Sequence, residues 1–125
     1  VRSVMERLVL FHYDKGSRAG YVIERLVKKY NFKGYLQCDG FAGYESAFKT
    51  STDVSLVNCM AHIRRKFEYA LEHDKEKAGY ALSRIGELYQ IERECDEKEK
   101  TEDERKEIRQ LKAKPIMNEL KGWFE

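Results

Sequence analysis

The chain has 125 residues, 42% of them hydrophobic, with 8 Tyr, 6 Phe and 1 Trp, which is apolar material enough for a folded domain. No run of eighteen apolar residues occurs, and the opening VRSVMERLVLF is interrupted by Arg2, Glu6 and Arg7, so neither a helical membrane span nor a signal peptide is expected. The formal net charge of +2 hides an asymmetry: Lys and Arg outnumber Asp and Glu two to one over residues 1–67, whereas acids are in excess over 68–125, so the first half is the better match for a polyanion. Cys38, Cys59 and Cys95 are odd in number and contain no C-x-x-C pair; they read as small buried apolar residues of a reducing compartment, and a cytoplasmic location is expected.

LVLFHY, residues 8–13, is a short apolar and aromatic run ended by DKGS and predicts a buried strand. Ser17 can cap the helix that comes next, in which Val22, Ile23, Leu26, Val27 and Tyr30 form the apolar stripe and Arg25, Lys28 and Lys29 the solvated side. That helix should stop near Asn31. GYLQCD, residues 34–39, is the next strand, and the strand, helix, strand order predicts that it pairs in parallel with LVLFHY. AGYESAF, residues 42–48, predicts a short helix, and VSLVNC, residues 54–59, a third strand.

From Ala61 onward the period is helical. Phe67, Ala70 and Leu71, then Ala78, Ala81, Leu82, Ile85, Leu88 and Tyr89, predict one long amphipathic helix. The charged stretch ERECDEKEKTEDERKE predicts a solvated hairpin, Thr101 with Glu104 a capping box opening a second helix through Leu111. Pro115 fits a first helical turn, after which Ile116, Met117, Leu120, Trp123 and Phe124 form a third apolar stripe. An α/β portion, residues 1–67, is thus succeeded by a helical portion, residues 68–125.

Three chemistries are weakly supported or excluded by spacing. Cys59 and His62 have the C-x-x-H spacing of half a zinc site, but no second Cys/His pair accompanies them. GSRAG lacks the spacing and the Lys of a phosphate loop. No serine has a convincing His and acid partner. His62-Ile-Arg64-Arg65-Lys66 places three consecutive cations where a strand passes into a helix, a position the helix dipole disfavours; DNA phosphates would favour them there, and an exposed basic turn packing over aromatics is the alternative. Asp39, at the carboxyl end of its strand and before Gly40, is either a turn-forming Asp-Gly or a carboxylate delivered to a site; in parallel α/β sheets functional groups collect at that edge.

The stretches YLQCDGFAGYESAF, NCMAHIRRKFEYAL and LYQIERE, in this order, resemble the central region of the transposases of the insertion sequence 66 family. The resemblance rests on Leu36, Gln37, Asp39, Gly40, Phe41 and Tyr44; on Cys59, Ala61, His62, Arg64, Arg65, Lys66 and Phe67; and on Leu88, Tyr89, Ile91 and Glu92, with Ser17-Arg18 also similar. Cys38, Phe41 and Met60 depart from the usual Thr, Tyr and Trp.

This resemblance implies a partial ribonuclease H-like fold, a mixed sheet flanked by helices, followed by an all-helical insertion. It also implies an Asp-Asp-Glu transposase that cleaves and transfers DNA strands with two Mg²⁺ ions, and, for the full-length protein, a homo-oligomer acting on transposon ends and target DNA. Asp39 would be the second acid and a metal ligand, while His62, Arg64, Arg65 and Lys66 would contact DNA. The first Asp is expected on a strand preceding that of residues 8–13, and the Glu in a later Asn-x-x-Glu-Arg segment, both outside this chain; neither Asp14 nor Glu92 matches those motifs. The chain is therefore expected to be the middle of a longer protein and inactive alone, with a non-catalytic DNA-binding or assembly module as the rival reading.

Overall fold

The computed structural model describes residues 20–124 and, before them, the backbone of residues 2–3 and 8–9. The element order is β1 (Arg2–Ser3), β2 (Leu8–Val9), α1 (Gly20–Lys29), β3 (Gly34–Cys38), α2 (Ala42–Phe48), β4 (Val54–Asn58), α3 (Met60–Ala70), α4 (Lys75–Glu97), α5 (Glu102–Ile108), a π-helical turn (Arg109–Ala113) and α6 (Lys114–Phe124). The chain divides into two compact units, Val1–His62 and Ile63–Glu125.

In the first unit, α1 ends as its sequence predicts. Asn31 takes the left-handed conformation (φ 46°), Phe32 N–H donates to the Val27 carbonyl and Asn31 N–H to that of Lys28, the paired bonds of a Schellman cap. The chain then enters β3, which pairs in parallel with β4 in the register Gly34↔Val54, Leu36↔Leu56 and Cys38↔Asn58, with α2 as the crossover. Among the described residues of this unit, Val22, Phe48 and Val54 are buried, one each from α1, α2 and β4. Gly20 and Gly43 let α1 and α2 approach closely: a Cβ on Gly20 would lie 2.0 Å from the Gly43 carbonyl oxygen.

The pairing differs from the sequence-based expectation. Leu8–Val9 pairs antiparallel with Arg2–Ser3, not in parallel with β3, and among the described residues the strands form two separate pairs and not one mixed sheet. Pairing segments so near in sequence closes a shorter loop than reaching β3 would, at a smaller entropic cost. Residues 10–13 of the expected strand, and Ser17 and Arg18, lie outside the described residues.

The second unit is helical. The single long helix expected from periodicity is two helices, interrupted over residues 71–74, where Asp74 caps α4 by accepting the Lys77 N–H at 3.0 Å. Leu71 and Ala78 are seven residues apart and so stay in phase across the break, but no apolar residue stands between them, and that gap is the local mark of the interruption. Ala78, Ala81, Ile85, Ile91 and Cys95 from α4 and Ile116 and Leu120 from α6 form the buried core. The charged stretch expected as a hairpin is mostly helix: α4 continues to Glu97, and only residues 98–101 turn before Thr101 and Glu104 form the predicted capping box. The helix restart expected at Pro115 is instead a continuous passage through the π-helical turn. Pro115 has no N–H for the Leu111 carbonyl, and Lys114 N–H donates five residues back to Arg109.

Polar groups fasten α4 to the later helices. Arg109 donates to both Glu92 carboxylate oxygens at 2.7 Å each, and Arg105 to Asp96 at 2.6 Å. Arg84 and the Tyr80 hydroxyl both donate to Glu119. Phe67, Tyr80, Trp123 and Phe124 meet as an aromatic cluster, Phe67 stacked on Phe124 at 5.6 Å between centroids.

Candidate functional site

The carboxyl ends of β3 and β4 lie side by side because the register aligns Cys38 with Asn58. Cys59 N–H donates to the Cys38 carbonyl at 2.8 Å, carrying the ladder one residue past the strands. The two chains then diverge: β3 passes through Asp39-Gly40 into α2, and β4 passes through Cys59 into α3. Asp39, Gly40, Asn58, Cys59 and His62 thus collect at one edge of the parallel pair, the edge at which such sheets present functional groups.

Asp39 is half-buried, and its Oδ1 accepts the Phe41 N–H at 3.2 Å, an Asx turn. The turn-forming role read from the Asp-Gly pair is therefore present. Gly40 completes it at φ 78°, a conformation that an L-residue adopts only with strain. A Cβ on Gly40 would sit 3.6 Å from Asn58 Oδ1, so the Asn58 carboxamide stands over the turn. Asn58 Oδ1 also lies 3.8 Å from Cys38 Sγ as its acceptor. Sequence reasoning passed over Asn58, because only the cross-strand register between positions twenty apart places it beside Asp39.

Cys59 precedes the first residue of α3, and His62 lies one turn on. The His62 imidazole hydrogen-bonds the Cys59 thiol and, with the backbone N–H groups of His62 and Ala61, holds its pKa below the ordinary thiol range. The C-x-x-H spacing thus brings its two members together. Contrary to expectation, Cys38 and Cys59 are only half-buried, since both stand at the open end of the strand pair; Cys95 is the buried cysteine.

As to metal, the Asp39 carboxylate has the hard-oxygen chemistry and the strand-end position of one Mg²⁺ ligand. Among the described residues no group of three or more His, Cys, Asp or Glu could hold an ion, so these residues do not by themselves form the metal pair and no step is derived through it.

Arg64, Arg65 and Lys66 lie in the first turns of α3, all exposed. Arg64 is committed in part to Glu68, at 2.6 Å one turn along the helix. Glu92, kept apart from the catalytic acids in the sequence reading, is held by Arg109, which lowers its pKa, and so belongs to the helical scaffold.

Among known proteins, the chain is 33% identical over 112 residues to the uncharacterized protein y4jD of Sinorhizobium fredii (strain NBRC 101917 / NGR234), covering 85% of this chain and 21% of that protein. It is 28% identical over 120 residues to y4qI of the same strain, covering 90% of this chain and 21% of the relative. The chain therefore spans about a fifth of the length of these curated relatives. No solved structure matches it. No helix among the described residues is long and apolar enough to cross a membrane. The family described as Transposase IS66 family matches residues 2–125, in agreement with the motifs around Asp39, Cys59 and Leu88, and the chain belongs to that family.

Proposed function

We propose that this chain is the central part of a DNA transposase that cleaves and transfers DNA strands with Mg²⁺, and that Asp39 is one of its catalytic carboxylates. The observation that carries the reading is the place of Asp39: within a chain of this family, it stands at the carboxyl end of a parallel strand, on a turn set by Gly40. A pair of divalent ions there would stabilise the attacking and leaving oxygens of a phosphoryl transfer. The remaining carboxylates would come from elsewhere in the longer protein, so the 125-residue chain alone is expected to be inactive. In this reading residues 1–67 are part of a ribonuclease H-like catalytic core and residues 68–125 a helical insertion. His62, Arg64, Arg65 and Lys66 are candidate phosphate contacts, the full-length protein works as a homo-oligomer on transposon ends and target DNA, and it does so in the cytoplasm.

The test is cleavage of a transposon end and strand transfer by the full-length protein with Mg²⁺, comparing wild type with Asp39→Asn. Asparagine keeps an oxygen to accept the Phe41 N–H while removing the charge a metal needs, so both activities should fall by orders of magnitude with the circular dichroism spectrum unchanged. Activity retained in Asp39→Asn would reduce Asp39 to a turn residue. Cleavage and transfer absent from wild type under the same conditions would favour the rival reading, a non-catalytic DNA-binding or assembly module.

A further inference from the structure

Helix α3 has three faces of different character. Ile63, Phe67 and Ala70 are half-buried along one of them, where Phe67 stacks on Phe124 and so ties the helix to α6. Arg64 and Glu68 neutralise each other at 2.6 Å along a second. Arg65, Lys66 and Tyr69 make up the third. Spacings of four and three bring Tyr69 onto the side of both cations, so that the three residues fall within about 100° of the helix circumference.

Nothing within the fold accounts for this third face. Arg65 and Lys66 are exposed, and among the described residues neither is paired with an acid; Glu68, the acid of α3, is taken by Arg64. The helix dipole favours cations in the last turn, and these two stand before it. Tyr69 is 72% exposed, and among the described residues its ring has no aromatic partner and no cation over it. Tyrosine is also only a middling helix former, so the helix itself gains little from it there. A ring held in water beside two uncommitted cations is the recognition chemistry of a nucleic acid with an unpaired base: phosphates meet the cations, and the base stacks on the ring. A continuous duplex offers no such base, because its bases already stack on one another. From Arg65 to Tyr69 the helix rises about 6 Å, roughly two nucleotide steps of about 3.4 Å each. One strand can therefore lay phosphates on the cations and turn a following base onto the ring.

We propose that this face of α3 binds DNA where a strand leaves the duplex, with Arg65 and Lys66 on the phosphates and Tyr69 stacked on the first unpaired base. The inference rests on the transposase reading for the choice of DNA, and strand cleavage in that reading is what frees an end with unpaired bases. It adds Tyr69 to the contacts and sets Arg64, half spent on Glu68, apart from Arg65 and Lys66.

The experiment is fluorescence anisotropy of the full-length protein over a range of salt, with a fully paired duplex and with the same duplex carrying a short single-stranded overhang, after circular dichroism confirms that each variant is folded. Tyr69→Ala should weaken binding of the overhang DNA about tenfold at unchanged salt slope and spare the paired duplex, while Tyr69→Phe retains binding because the ring remains. Arg65→Gln with Lys66→Gln should flatten the log–log salt dependence by about two units on the overhang DNA. Tyr69→Ala that weakens both DNAs equally, or neither, would overturn the stacking contact, as would equal losses in the Phe and Ala variants. An unchanged slope in the Gln pair would overturn the phosphate contacts. Transposon-end cleavage by the same wild-type preparation reports on the transposase reading separately: with cleavage present, these failures strike the α3 face alone, whereas a wild type that neither cleaves nor binds DNA in a salt-dependent way would overturn both.

Discussion

Gly40 and Gly20 are both constrained, for different reasons that mutation can separate. At Gly40 the obstacle is the backbone: φ is 78°, while a Cβ would meet Asn58 Oδ1 at an ordinary 3.6 Å. Gly40→Ala should therefore cost roughly 1–2 kcal/mol, the penalty of an L-residue in the left-handed region. At Gly20 the obstacle is packing, since a Cβ would fall 2.0 Å from a carbonyl oxygen that cannot rotate away. Gly20→Ala should destabilise by about 3 kcal/mol, at the upper end of overpacking costs, because α1 must move off α2. Urea unfolding of the two variants beside wild type checks the order; a Gly40→Ala loss equal to or above that of Gly20→Ala would contradict it. The same turn shows how legible the site was. Asp39 and Gly40 stand out in sequence as a turn at a strand end, whereas Asn58 does not, being an ordinary polar residue until pairing sets it over Gly40.

At the scale of elements, the helical unit depends on caps and ion pairs that respond to pH. Thr101 accepts the Glu104 N–H while the Glu104 carboxylate accepts the Thr101 N–H and the Lys100 ammonium. Lys100 and the Thr101 donors bring the Glu104 pKa down from 4.5 to about 2. A carboxylate whose pKa is depressed on folding contributes stability that is fully present above its unfolded value and disappears as pH falls through its folded value. Stability of this unit should thus be level above about pH 5 and decline from about pH 4.5 toward pH 2, with Glu92, lowered by Arg109, adding to the decline. Glu104→Gln should flatten part of that decline in thermal melts followed by circular dichroism; an unaltered pH profile would show that the capping box is not the source. Thr101→Ala, which removes the side-chain acceptor for the Glu104 N–H, should cost about 1 kcal/mol at neutral pH. This cap was readable from four residues, because capping is local. The break before α4 was readable in principle from Asp74 and from the polar run 72–77, but Leu71 and Ala78, seven residues apart, keep the two apolar stripes in phase and masked it.

At the scale of the whole molecule, the charge asymmetry makes the basic first half the better match for a polyanion, and salt dependence tests it. If Arg64, Arg65 and Lys66 each neutralise a duplex phosphate, replacing all three by Gln should flatten the log–log salt dependence of DNA binding by about three units. Arg64 is the residue to replace singly as an internal comparison: part of its charge is spent on Glu68, so its removal should cost less than removal of Arg65. A slope unchanged in the triple variant would return these cations to an exposed basic turn. Trp123, 37% accessible, packs at a tilt against Phe67 and Tyr80, and Phe124, 55% accessible, stacks on Phe67, so Trp123→Ala should lower the stability of the helical unit as well as removing surface apolar area.

What the sequence determined was whatever depends on near neighbours: the Schellman stop after α1, the extents of β3, α2 and β4 within a residue, the capping box at Thr101, and the family, whose motifs lie in contiguous stretches. Only the tertiary structure decided which strands pair, because β2 and β4 are both apolar enough to lie against β3 and periodicity carries no register. It also decided that the chain passes Pro115 through a π-helical turn, since the alternative, a restart, satisfies the missing N–H equally well in local terms. Asn58 and Cys59 became neighbours of the Asp39 turn for the same reason: a parallel register joins residues about twenty apart, and no residue of the turn itself carries it.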